Sequence, residues 1–209
     1  MIIGIIQASS QKDKNPIIER CVKEAAPQYE IVNFGVYDDN ETEISYIKIA
    51  VCIALLLESG SVDFVVTGCS SGQGMALACN SLGVICGYVQ NVTDAYLFGR
   101  INDGNAVSYP LGYNWGWAAE VNFRETMRAL FSEPMGNGYP KADAERKMRD
   151  TRQLKKINRI CRRELSEVLP LIDRDIVRDA LEYGDVYQYI SVYGKNAELM
   201  QTVNDILKR

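Results

Sequence analysis

Cys69 stands between a short β-branched and aromatic run, residues 62–66, and a loop of small residues, Ser70–Ser71–Gly72–Gln73–Gly74. The run is long enough for a buried strand and too short for a helix. Residues 75–79 read as the opening of a helix. A strand that passes through such a loop into a helix aims several backbone N–H groups at one point, and the helix dipole adds positive partial charge there. That arrangement suits an oxyanion or a phosphate. A thiolate at its edge is equipped to move a proton beside a carbonyl whose developing negative charge the loop accepts. The plainer alternative makes Cys69 a small buried residue and the glycines a tight turn, as in many α/β folds with unrelated ligands.

No histidine occurs in the 209 residues. A general acid or base must then be Cys, Asp, Glu, Lys or Tyr, and a transition-metal site is disfavoured. Cys21, Cys52, Cys69, Cys79, Cys86 and Cys161 show no C-x-x-C pairing, and most fall in apolar patterns, which points to free thiols in a reducing cytoplasm. The composition, 47% hydrophobic and 24% charged, is that of a soluble globular protein. No segment has the apolar length of a membrane span, and the opening MIIGIIQ reads as a strand rather than a signal peptide. Residues 1–140 hold 8 Lys/Arg against 15 Asp/Glu, whereas 141–209 hold 15 against 12. Cations for an anionic ligand are therefore scarce in the first part, and the basic second part is the other source.

Hydrophobic patterning supplies the scaffold. Residues 2–6 form a buried strand, followed by a polar loop over 7–15. Asn15 before Pro16 predicts a helix start, with Asn as N-cap. Residues 29–34 form a second strand and 35–43 an acidic loop. From 45 to 57 the pattern is apolar on nearly all sides, which predicts a helix packed against both its own sheet and another subunit. Residues 84–89 read as a fourth strand, 91–101 as a helix, 106–109 as a fifth strand and 117–131 as a last core helix. Strand and helix alternate with short connections, which argues for an α/β fold with a parallel sheet between helices. Ligands in such sheets lie beyond the carboxyl ends of the strands. The loops 7–14, 68–74 and 110–115 should therefore converge.

From Ala142 the pattern is helical only. Nine Lys/Arg fall between Arg146 and Arg163, but without interleaved aromatics they read as a solvated or subunit-bridging helix rather than a nucleic-acid surface. Apolar faces over 168–172, 176–181 and 187–192 are expected to pack back on the body. The division is an α/β domain over 1–140 and a helical C-terminal extension over 141–209.

Together, DFVVTGCSSGQGMALACNS, INDGNAVS and MGNGYP resemble the ribose-5-phosphate isomerase B / galactose-6-phosphate isomerase family of sugar-phosphate isomerases. The resemblance covers roughly residues 1–140. It implies a Rossmann-like three-layer α/β/α domain with a five-stranded parallel sheet. It also implies an aldose–ketose isomerase that works through a cis-enediol without metal, nucleotide or other cofactor. Carried over by position, Cys69 falls on the catalytic base and Ser71 on a substrate-contacting catalytic hydroxyl. Ser70, Gly72 and Gly74 fall on the loop that holds the enediolate oxygen, Asn102 on a substrate-contacting Asn, and Tyr46 on a pocket tyrosine. Gln7 and Ser10 occupy the region after strand one, where the family has Asp-His. Lys141 and Arg146 are the candidates for phosphate contact across an interface. The implied partner is a phosphorylated sugar, with no nucleic acid or membrane, in a homodimer or tetramer whose active sites lie between subunits.

Departures from the family pattern matter equally. Its ring-opening histidine is replaced by Ile101, and its arginine-rich phosphate clamp has no clean counterpart in GNGYPKADAERK. Isoleucine transfers no proton, so either another group, such as Asp103 or Tyr46, opens the ring, or the substrate is a short or open-chain sugar that needs no opening. A non-catalytic sugar-phosphate-binding module on the same fold is the competing reading. Plainer roles also stand beside several residues: Asn102 and Asn105 as caps of a turn, Lys12 and Lys14 as solvated charges, Asp94 as a helix-dipole partner, and Trp115 and Trp117 as hydrophobic anchors.

Overall fold

The computed structural model describes residues 1–37 and 43–208. Its five strands are β1 (Ile2–Ile5), β2 (Glu30–Asn33), β3 (Phe64–Cys69), β4 (Cys86–Tyr88) and β5 (Ala106–Pro110). They form one parallel sheet in the order β2-β1-β3-β5-β4. β3 is central and buried at all six positions, as a strand covered on both faces must be. Its side chains alternate: Val65 joins the core on one face, Phe64 and Val66 the core on the other. The expected α/β architecture is observed. The acidic loop read over 35–43 falls partly on 38–42, outside the described residues.

Helices α1 (Asn15–Ala25), α4 (Val92–Leu97) and α5 (Ala119–Phe131) cover one face, contributing Ile18, Ala95, Phe123 and Met127. Helices α2 (Tyr46–Glu58) and α3 (Gln73–Ser81) cover the other. Asn15 does not cap α1. It is the first helical residue, and its amide instead donates to Gln7 Oε1 at 2.9 Å and Asn33 Oδ1 at 3.0 Å. Those side-chain bonds tie the start of α1 to the loop after β1 and to the edge strand β2.

Helix α2 extends a second expectation. Its all-round apolarity does predict burial on two faces, and eight of its residues are buried. The chain's own extension supplies a second cover that the sequence pattern did not identify. After α6 (Ala144–Cys161) come α7 (Leu165–Val168), α8 (Arg174–Glu182), α9 (Val186–Tyr193) and α10 (Ala197–Leu207). Leu165, Val177, Leu181, Ile190 and Leu199 share one core with Ile53 and Leu55. The Cys52 thiol donates to the Ala180 carbonyl at 3.3 Å, and Lys48 pairs with Asp179. Helix α6 differs: Thr151 is its one buried residue, and its basic face is solvated.

Candidate active site

The sheet carries the site at its carboxyl edge. Cys69 is the last residue of β3, paired with Pro110 of β5, and is 8% exposed. The backbone then turns sharply at Gly72, whose φ of 74° lies in the left-handed region that favours glycine. A Cβ there would lie 2.8 Å from the Tyr88 ring and 2.9 Å from the backbone at Pro110. The Ser108 hydroxyl fixes the turn by donating to the Gly72 carbonyl at 2.6 Å. Helix α3 starts at Gln73 with no side-chain cap; the Gln73 N–H meets only Ser71 Oγ, at 3.3 Å. An uncapped helix start beside a thiol is an anion-holding geometry.

The three predicted loops do converge. Ala8 N–H donates to the Gly68 carbonyl at 3.0 Å, Leu111 N–H to Cys69 at 3.0 Å and Gly112 N–H to Ser70 at 2.8 Å. Ser10, Ser70 and Ser71 are exposed together at this mouth. The Tyr46 ring, at the start of α2, lies 3.4 Å from where a Gly74 Cβ would stand. On the other side the hydroxyls of Tyr88 and Tyr113 touch. Partial burial first, and the Tyr113 hydroxyl second, push the Tyr88 phenol up to about 12. It therefore stays protonated at neutral pH.

Gln7 sits differently from its expected role. It is 1% exposed, donating through Nε2 to the Val36 carbonyl at 2.8 Å and accepting from Asn15. Both ends of its amide brace the fold. Gln11, which the sequence reading passed over, and Lys14, read there as a solvated charge, stand behind the mouth. Lys14 donates to Gln11 at 2.7 Å, and Gln11 donates to Ser70 Oγ at 2.8 Å. Two lysines in a polar loop gave no sign of this, because the contact to Ser70 spans 59 residues.

Asn102, Lys141 and Arg146 gather elsewhere. Asn102 precedes β5, and the β3–β5 register runs from Val65–Ala106 to Cys69–Pro110, which places Asn102 beyond the amino edge of the sheet. Ala106 to Pro110 alone spans roughly 13 Å of strand. A second cluster forms there. Gly136 N–H donates to the Gly99 carbonyl at 2.8 Å and Gly138 N–H to Arg100 at 2.9 Å. Thr151 of α6 donates to the Ile101 carbonyl, and Lys155 pairs with Asp103. Arg146 lies between Asp143 at 3.2 Å and Asp150 at 3.3 Å, and Lys141 is exposed. Arg100 is fully buried, its Nη2 donating to the Leu130 carbonyl at the end of α5 and its guanidinium 5.7 Å from the Tyr96 ring.

Chemically, the first cluster offers a thiol, hydroxyls and an uncapped helix start, and the second offers charge. Among the described residues no group of His, Cys, Asp and Glu is arranged to hold a metal, and no helix is long and apolar enough to cross a membrane. All six cysteines are free.

A parallel sheet with a thiol-bearing glycine loop at the carboxyl edge of its central strand defines an α/β protein of Rossmann-like architecture. The profile of the ribose/galactose isomerase family matches residues 3–132, and the chain belongs to that family. Comparison with curated proteins gives no significant sequence match. Among solved structures, a 4-deoxy-L-threo-5-hexosulose-uronate ketol-isomerase complexed with a tartrate is 37% identical over 100% of both chains, with a TM-score of 0.94. A ribose-5-phosphate isomerase from Vibrio parahaemolyticus is 31% identical over 99% of both, with a TM-score of 0.92. The type B ribose 5-phosphate isomerase from Trypanosoma cruzi shares the fold at 21% identity and a TM-score of 0.63, covering 76% of this chain and 98% of its own. The first two relatives match the extension as well as the sheet domain.

Proposed function

We propose that the chain is an aldose–ketose isomerase acting on an open-chain sugar with an anionic terminus, with Cys69 as the base. The observation that carries this reading is the position of Cys69, at the carboxyl edge of the central strand and at the mouth of an uncapped helix start. In the forward direction the thiolate takes the proton from C2 of an aldose. The C–H electron pair forms the C1–C2 double bond as the carbonyl pair moves to the oxygen on C1. The proton then returns to C1 while the hydroxyl proton on C2 is transferred to the oxygen on C1, leaving the ketose. The carbon acid is far too weak for an unaided thiolate, so donors must stabilise the enediolate by several kcal/mol, about the value of an oxyanion hole. In this reading Ser70, Ser71 and the amides at Gly72–Gly74 supply those donors.

The substrate's far end is read from charge. Lys14 already meets Asp13 and Gln11, Arg146 meets two aspartates, and Lys155 meets Asp103. A dianionic phosphate is ordinarily gripped by bidentate arginines; a carboxylate needs less. This favours a uronate-type sugar such as the one named for the 37% identical relative. Such a 4-deoxy-5-keto sugar has no C4 or C5 hydroxyl to close a ring on C1, so Ile101 in place of a ring-opening acid is no handicap. The second reading, a sugar phosphate, is favoured by the 31% identical relative.

The two clusters lie at opposite edges of one sheet, so a single chain does not join them. In this reading a second copy brings its Asn102, Lys141 and Arg146 to the Cys69 mouth. Leu77, 71% exposed on α3, and Tyr46 and Ile47 supply an apolar face beside that mouth.

Incubation in heavy water with the hexosulose uronate, ribose 5-phosphate and erythrulose 4-phosphate, followed by NMR, tests the proposal. Deuterium should enter at C1 or C2 of the accepted sugar, and Cys69→Ser should cut exchange by about 10²- to 10⁴-fold, the scale of one general base. Binding without exchange for every sugar would instead establish a non-catalytic binding module.

A further inference from the structure

Lys14, Gln11 and Ser70 form a directed chain of hydrogen bonds that ends one residue from Cys69. The turn Ser9–Lys14 kinks at Gln11, with φ −125° and ψ 21°, which buries its side chain to 6% exposure beneath the loop. Lys14 Nζ donates to Gln11 Oε1 at 2.7 Å. An ammonium has no acceptor, so the carbonyl end of the Gln11 amide must face Lys14 and its NH₂ end must face the loop. There Nε2 donates to Ser70 Oγ at 2.8 Å and, more weakly, to Ser10 Oγ at 3.4 Å.

A hydroxyl that accepts from an N–H has to place its own proton elsewhere. Ser10 and Ser70 Oγ are 3.5 Å apart, too far for a strong mutual bond. Both serines are exposed at the mouth while Gln11 lies behind them. With Gln11 on the acceptor side of Ser70 Oγ, the Ser70 proton is left for a partner at the mouth. The arrangement selects donor over acceptor at a hydroxyl that would otherwise rotate freely.

We infer that Gln11, oriented by Lys14, is a positioning residue that fixes the Ser70 hydroxyl as a donor to the substrate oxygen that gains charge when Cys69 removes the neighbouring proton. The inference rests on the Cys69 reading above. A donor aimed in advance stabilises the enediolate without reorganising at the moment of reaction. The Lys14 charge polarises the chain in the same sense, while its side chain, 15% exposed, stays behind the loop. No proton travels along the chain.

A purely structural brace between the 9–14 turn and the loop would use the same contacts, and two variants separate the roles. Gln11→Leu should lower kcat about 10-fold with KM within about twofold, less than the roughly 10²–10³-fold of deleting an oxyanion donor outright. In a Ser70→Ala background it should lower kcat no further, because the group it acts through is gone. Gln11→Glu still accepts from Lys14 and keeps the brace, yet its carboxylate draws the Ser70 proton inward; kcat should fall at least as far as in Gln11→Leu, at an unfolding temperature close to wild type. Losses that multiply in the double variant, or wild-type kcat in Gln11→Glu, would overturn the inference. Equal exchange by wild type and Cys69→Ser would instead overturn the reading beneath it.

Discussion

The two edges of the sheet are built from opposite materials. At the carboxyl edge, Cys69 is surrounded by neutral donors: three serines, the start of α3 and the Tyr88–Tyr113 pair. At the amino edge, Asp103 pairs with Lys155, Arg146 with two aspartates, and Arg100 is buried under the end of α5. Neutral donors like those at the carboxyl edge suit the charge that develops on a substrate oxygen during proton abstraction from carbon. Holding an anionic terminus needs charge, and that charge stands at the other edge. The division explains why neither cluster alone resembles a complete site.

The largest effect expected from this division is complementation. Cys69→Ser removes the proposed base from one edge, and Asn102→Ala removes the proposed substrate contact from the other. Each variant alone should be nearly inactive. Unfolded and refolded together, they should form mixed dimers in which one of the two sites carries no substitution. Random pairing puts half the dimers in that class, so activity should recover to about one quarter of wild type. No recovery at any mixing ratio would break the comparison, because it would mean that both edges act within one chain.

The next effect separates the cover of α2 from the face beside Cys69. Leu181 is 2% exposed in the core that the extension shares with α2, and Leu77 is 71% exposed on α3. Leu181→Ala should cost about 2–5 kcal/mol of stability without changing the oligomeric state, read by denaturant unfolding and light scattering. Leu77→Asp should do the reverse, giving a folded monomer that has lost turnover. A dimer that survives Leu77→Asp would place the interface elsewhere.

What the sequence shows and hides follows the same physics. The β3–loop–α3 unit was legible because its strand pattern, small residues and helix onset are local, and the convergence of the three loops followed from parallel-sheet topology. The cover of α2 was not: an all-round apolar helix declares that two faces are buried, never by what, and the extension's modest apolar faces gave no address. The burial of Arg100 was not legible because a fully buried arginine is rare, and the carbonyl it donates to lies 30 residues away. Gln7 and Gln11 look alike in a polar loop. Only the kink at Gln11 turns one amide to the loop beside Cys69, while Gln7 is held by Val36 and Asn15.

The smallest structural effect carries the test of the charged edge. Lys141 is exposed, and Arg146 makes only exposed pairs within its own helix turn, with Asp143 and Asp150. Such pairs contribute about 0–1 kcal/mol, so Lys141→Met with Arg146→Met should barely move the unfolding midpoint. If these side chains meet the substrate's anionic end across the subunit interface, KM should rise about 10-fold, a loss of about 1.4 kcal/mol, with kcat nearly unchanged, because the charge at the far end is the same in substrate and transition state. Added salt should weaken wild-type binding and leave the variant's almost unaffected. An unchanged KM would move the anion contact to Lys12 and Lys14, and so to the same edge as Cys69.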